Sequence, residues 1–96
     1  RNLVIQLVAR GEVETTLTRA KALKSAADWL VTVGKQSSLN SKRRMKRALL
    51  SENLVHKARL DIAARFIERN GGYTSLRVTR TRKGDAVTLA KVQFLH

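Results

Sequence analysis

At 96 residues with 43% apolar side chains, the chain supports one modest core, since folding at this size buries only roughly 60 to 65% of the surface that the unfolded chain exposes. Twenty Lys and Arg against seven Asp and Glu give a formal net charge of +13, so a polyanionic partner is expected, one whose binding relieves self-repulsion and releases condensed counterions. The absence of cysteine removes disulfides and thiolate metal sites and fits a reducing compartment, and no apolar run approaches a membrane span.

The chain starts at Arg1 without a methionine, and a targeting or basic arm ahead of it is expected. Arg1 to Arg10 reads as a helix, with Leu3, Val4, Leu7 and Val8 on one stripe, stopped by Gly11. Glu12 to Leu17 alternates Val13, Thr15 and Leu17 with Glu12, Glu14 and Thr16, the pattern of a short strand. Thr18 is placed to cap the next helix, which runs to about Val33, buries Ala20, Leu23, Ala27, Leu30 and Val31, and ends at Gly34. A short loop, 34–40, separates it from Lys42-Arg43-Arg44-Met45-Lys46-Arg47, five cations in six positions. As a helix this stretch sets like charges four apart, each pair costing roughly 0.2 to 0.5 kcal/mol, and Met45 and Leu49 anchor its other side.

Ser51 is a second cap candidate. Leu54, Val55, Ala58, Ile62, Phe66 and Ile67 then follow at helical spacing as far as Asn70, a helix expected to be the spine of the core, with Asp61 paired to Lys57 and Arg65 and Glu68 to Arg65. Asn70, Gly71 and Gly72 supply the left-handed position that closes it. From Tyr73, Leu76 and Val78 alternate with Arg77 and Thr79, one face apolar and the other cationic. Lys83-Gly84-Asp85 turns the chain into a last strand, Ala86 to Leu95. Val87 and Leu89 share one parity and Ala90, Val92 and Phe94 the other, so either both faces are covered or a bulge shifts the register near Leu89. The fold class is α+β: one domain over residues 1–96, two layers, in the order helix, strand, three helices, two strands.

Enzyme chemistry is poorly supplied. His56 and His96 are the only histidines, too few for a zinc site without cysteine, and no spacing gives a serine or threonine nucleophile its base and orienting acid. Gly71-Gly72 is too short for a phosphate-cradling loop. The carboxylates read as charge neutralisers in a positive field that depresses their pKa, which is poor for a general acid. No catalytic residue, metal or cofactor is expected.

Four stretches together resemble the bacterial-type large-subunit ribosomal protein L-seventeen family: Arg1-Asn2-Leu3 with Leu7-Val8; Glu14-Thr15-Thr16-Leu17 running into Arg19-Ala20-Lys21-Ala22-Leu23-Lys24; Arg65-Phe66 with Gly71-Gly72-Tyr73-Thr74; and Arg82-Lys83-Gly84-Asp85-Ala86. Where the family usually has proline, this chain has Thr18; Ala63-Ala64 stands for Gly-Pro, which leaves the helix count open; Ser75 stands for arginine. The resemblance implies a structural component of the large ribosomal subunit, bound to its large RNA near the polypeptide exit region, touching neighbouring ribosomal proteins, with no membrane partner, in the cytoplasm or an organelle. The implied RNA contacts are Arg1, Asn2 and Arg10 of the first helix; Thr16, Arg19, Lys21 and Lys24 at the start of the second; Lys42, Arg43, Arg44, Lys46 and Arg47; Arg65 and Arg69; and Arg77, Arg80, Arg82 and Lys83 of the hairpin. Tyr73 either stacks on an unpaired base or packs the sheet edge.

Two rivals fit parts of this pattern. A winged-helix DNA-binding module has nearly the same element order, with 54–70 as recognition helix and the hairpin as wing. An RNA-processing enzyme would need a carboxylate cluster that the sequence does not display.

Overall fold

The computed structural model describes residues 2–36 and 38–95, with Asn2 described by its backbone alone. Its elements are α1 (Asn2–Arg10), β1 (Glu12–Thr16), α2 (Leu17–Gly34), α3 (Leu39–Leu49), α4 (Glu52–Lys57), a π-helical turn (Ala58–Ile62), a 3-10 turn (Ala63–Phe66), β2 (Thr74–Thr81) and β3 (Thr88–Phe94). Helices cover one face of an antiparallel sheet in the order β1-β3-β2, the expected α+β arrangement.

The alternation of apolar residues places Val13, Ala90, Val92 and Phe94 on the inner face of the sheet, where they meet Leu7, Val8, Ala20, Leu23, Ala27 and Leu30. The centre of this packing is α2, which touches α1, α3, all three strands and both irregular turns. The segment after Ser51, expected to be the spine, is instead one wall. Its hydrogen bonding loosens from α to π and tightens to 3-10, so a single 3.6-residue stripe cannot hold throughout. Val55, Ala58, Ile62, Ala63 and Phe66 stay buried while Ile67 is 67% exposed. Ala63 and Ala64 open the 3-10 turn without breaking the helical path.

Several boundaries move for local reasons. The cap of α2 is Thr16, whose extended backbone lets its hydroxyl accept from the Arg19 N–H at 3.4 Å; Thr18 already lies inside the first turn. Gly34 is helical rather than a stop. A Cβ built there would lie 3.2 Å from Ala63 Cβ and from Met45 Cε, so the absence of a side chain lets α2, α3 and the 3-10 turn meet. Ser38, with its Oγ accepting from Ser41 N at 3.1 Å, starts α3 earlier than the cation run suggests. Gly71 and Gly72 do take positive φ, +143° and +64°, which L side chains rarely adopt.

Both alternatives for the last strand hold. The register shifts between Val78 and Arg80 of β2, opposite Ala90 and Leu89, so Thr79 is the extra residue of a bulge carried by the partner strand. Leu89 is buried outside the main core, on the face opposite Ala90. The expected apolar face of β2 stops at Leu76: Val78 is 54% exposed. Residues 77–86 are exposed throughout, and the molecule measures 47 × 26 × 17 Å, as expected of a hairpin that reaches past the helices which would cover it.

Candidate nucleic-acid interface

The cation run gains its geometry from two buried side chains. Met45 and Leu49 are fully buried under α3, and Ser41, also buried, donates to the Gln36 and Ser38 carbonyls at 3.1 and 2.8 Å. With 100° per residue around that seat, Lys42 and Lys46 flank the side toward α4, Arg44 flanks the side toward α2, and Arg43 and Arg47 point outward. Leu50 in a left-handed conformation (φ 59°) ends α3, and Ser51 caps α4 by accepting from Leu54 N at 3.4 Å. The two helices therefore turn back on each other around a groove.

That groove encloses about 510 Å³ and is lined by Lys42, Arg43, Lys46, Arg47, Glu52, Val55, His56 and Arg59. One acid faces five cations. Lys46 takes it, at 2.9 Å, and the hydrogen bond from Lys46, then its charge, hold the Glu52 carboxyl below the ordinary glutamate value. Among the described residues Lys42, Arg43, Arg47 and Arg59 make no ion pair. Arg59 is the cation that sequence reasoning missed. It sits on the π-helical turn, a feature that often marks functional sites, and its buried Nε has no hydrogen-bond partner; an orphaned donor of this kind costs on the order of 1 to 3 kcal/mol. An anionic oxygen in the groove would satisfy it. The available signal was its place one turn after Val55, facing the cation run.

The hairpin cations differ. Arg80 pairs with Glu14 at 3.1 Å, Arg82 with Asp85 at 2.6 Å and Lys91 with Glu12 at 3.2 Å. The bulge turns Thr79 onto the same carboxylate, its hydroxyl donating to Glu14 at 2.6 Å. This bond, ahead of the Arg80 charge, lowers the Glu14 pKa, and the Arg82 hydrogen bonds lower that of Asp85. Arg77 and Lys83 are exposed and make no ion pair among the described residues.

Other candidates are taken up inside the fold. Lys24 directs Nζ to Thr74 O (2.8 Å), Thr74 Oγ1 (3.1 Å) and Asp28 (3.4 Å), which uses all three ammonium protons. Asp28 in turn accepts from Tyr73 N at 3.2 Å and from the Thr74 hydroxyl at 3.1 Å. The Tyr73-Thr74 pair is therefore the clasp between α2 and β2. Tyr73 is 3% exposed, its ring centroid 5.3 Å from that of Phe66, with Lys35 above it and its hydroxyl donating to the Arg69 carbonyl at 3.1 Å. These contacts pack the ring inside the core. Thr16 serves as a cap. Arg65 reaches Asp61 and the Leu95 carbonyl, while Lys57 donates to the Ala9 carbonyl at 2.9 Å rather than to Asp61. Arg10, Arg19, Lys21 and Arg69 remain exposed. Arg1 lies outside the described residues, and Asn2 begins α1.

Among the described residues no three His, Asp or Glu are grouped to hold a metal ion, and no helix is long and apolar enough to cross a membrane. Residues 1–95 match the family described as Ribosomal protein L17. The chain belongs to that family. It is 39% identical to the large ribosomal subunit protein bL17 of Moorella thermoacetica over 95 residues, 99% of this chain and 85% of that one. The protein of the same name from Aliarcobacter butzleri is 41% identical, with 82% of its length covered, and that from Clostridioides difficile 37%, with 84% covered. L17 family members are ribosomal proteins, not enzymes. The winged-helix reading falls with this match, and with the irregular course of its supposed recognition helix, whose apolar side chains line the core.

Proposed function

We propose that this chain is a structural constituent of the large ribosomal subunit, holding large-subunit ribosomal RNA near the polypeptide exit region among neighbouring ribosomal proteins. Membership of the L17 family carries the reading to the ribosome, and the groove between α3 and α4 carries it to RNA. Four unpaired cations and one orphaned Nε converge there, and like charges four apart on α3 destabilise the free protein until phosphates stand between them. Lys42, Arg43, Arg47 and Arg59 are the central contacts. Arg19 and Lys21, Arg10 and Arg69, and Arg77 and Lys83 extend the surface along the molecule. Arg80 and Arg82 join it by exchanging carboxylates for phosphates, an exchange made easy by the small worth of exposed ion pairs.

If ~10 cations make contacts, log K falls with log salt at a slope of about −7 to −9. The test is sedimentation of the native protein from its own cell extract through a high-salt sucrose gradient, with and without ribonuclease. Travel with the large subunit, and release only on digestion of the RNA, is the expected result. A protein that stays at the top of the gradient, or tracks with DNA, would overturn the reading.

A further inference from the structure

The chain has four aromatic side chains, one Trp, one Tyr and two Phe. Phe66, Tyr73 and Phe94 are in the core, whereas Trp29 on α2 is 41% exposed. Leaving about two-fifths of the largest aromatic side chain in water while three smaller ones are buried forgoes apolar burial in a chain with little to spare.

The surroundings of Trp29 are cationic. The guanidinium carbon of Arg44, from the flank of α3 that faces α2, lies 5.3 Å from the indole centroid. Arg44 makes no ion pair among the described residues, so the indole is its partner, a cation–π contact that ties α3 to α2. Beside that contact Trp29 keeps 41% of its surface exposed. Ser25 and Lys21 lie one and two turns back on the same exposed side of α2, and Arg43 and Arg47 flank Arg44 on α3.

We infer that Trp29 is a stacking platform for an unpaired nucleobase, with Arg44 closing the opposite face of the indole and the cations of α3 and of the start of α2 holding the flanking phosphates. This assignment rests on the RNA-binding reading above and deepens it: it names single-stranded RNA, at one nucleotide, as what this surface takes. Stacking on an aromatic ring is tolerant of base identity because every base has a π-face, and splayed bases are what proteins reach in folded RNA.

Trp29 is the sole tryptophan, so its fluorescence reports this site alone. The full chain is titrated with a single-stranded oligoadenylate and with a blunt-ended RNA duplex of equal charge, at several salt concentrations. Expected are similar salt slopes for both, quenching of Trp29 by oligoadenylate only, and a loss of about 5- to 150-fold in oligoadenylate affinity for Trp29→Leu, with Trp29→Phe retaining most of it. The melting temperature of Trp29→Leu, read alongside, stays near that of the parent because the ring is outside the core. Binding of both RNAs without quenching, equal quenching by the duplex, or unchanged affinity in Trp29→Leu overturns the platform and leaves RNA binding standing. Failure to bind either RNA overturns both.

Discussion

Two regions of this molecule carry dense positive charge, and they handle it in opposite ways. On α3 the cations are seated by buried Met45 and Leu49 and stand together without acids, Glu52 excepted. On the β2–β3 hairpin residues 77–86 are exposed, and Arg80, Arg82 and Lys91 each have a carboxylate within reach. One is a rigid surface with free charge; the other is a projecting arm whose charge is largely neutralised until a stronger anion displaces its acids. Cation density along a chain is therefore a poor measure of the field a partner meets.

The largest expected effect tests the seat of α3. Met45→Ala removes a fully buried side chain beneath the groove and should cost about 2 to 5 kcal/mol in chemical denaturation, with RNA affinity falling as α3 shifts. Val78→Ala on the exposed arm should change stability by less than about 0.5 kcal/mol. Equal costs at the two sites would erase the distinction between seated helix and free arm.

Next in size is the junction that launches the arm. Gly72→Val, a β-branched residue forced to a φ of +64°, should destabilise by about 1 to 3 kcal/mol, read as a lower melting temperature; Gly71→Val, at +143°, should behave alike. A melting temperature equal to that of the parent would mean that the turn relaxes to another conformation.

The charges themselves can be compared through salt dependence of RNA binding. Arg43→Gln with Arg47→Gln should flatten the slope of log K against log salt by about 1.4 to 1.8, two phosphate contacts' worth. Arg80→Gln with Arg82→Gln should flatten it by less than half as much, because Glu14 and Asp85 remain beside the site and repel phosphate. The reverse order would make the arm, not the groove, the principal contact.

Acid titration gives the smallest effect and a sharper view of the arm. Glu14 and Asp85 both have lowered pKa values in the folded protein, the first chiefly through the Thr79 hydrogen bond and the second through Arg82. Their contribution is thus complete above the ordinary values of 4.5 for Glu and 3.8 for Asp and is lost as pH falls below them through the depressed folded values. The protection of the Thr79 and Val87 amides against hydrogen exchange, taken relative to the intrinsic rate at each pH, should fall in that window while the α2 amides stay protected. Protection that is unchanged across it would show the ion pairs to be ornamental.

Much of this was legible along the chain because it depends on short range. The stripe of Ala20, Leu23, Ala27, Leu30 and Val31, the cap at Ser51, the positive φ at Gly71 and Gly72 and the order of the elements follow from periodicity and steric rules that act within a few residues. Thr16 was missed as a cap because strand and helix abut there, so one residue ends the first and begins the second. Gly34 read as a stop because a glycine chosen for close approach looks, in sequence, like one chosen for its backbone. Arg59 was passed over because the cation run lies on another helix, and only the packing of α3 against α4 brings the two to one groove. Asp28, an acid among cations, gave no sign that it joins α2 to Tyr73 and Thr74.

What the sequence determined by itself is the excess of positive charge, the secondary structure and the identity of most core residues, all additive or local properties. Which cations are free was decided only by the tertiary structure. Lys24 and Arg80 are as basic as Arg43 and Arg59 when read in order; folding brings Thr74 to the first and Glu14 to the second, whereas Asp28 and Asp85 stand within a turn of Lys24 and Arg82 along the chain, and it leaves the groove between α3 and α4 with more donors than acceptors. Pairing is a matter of distances across the fold, with Lys24 and Thr74 fifty residues apart and Glu14 and Arg80 sixty-six, and such distances exist only once the core has closed.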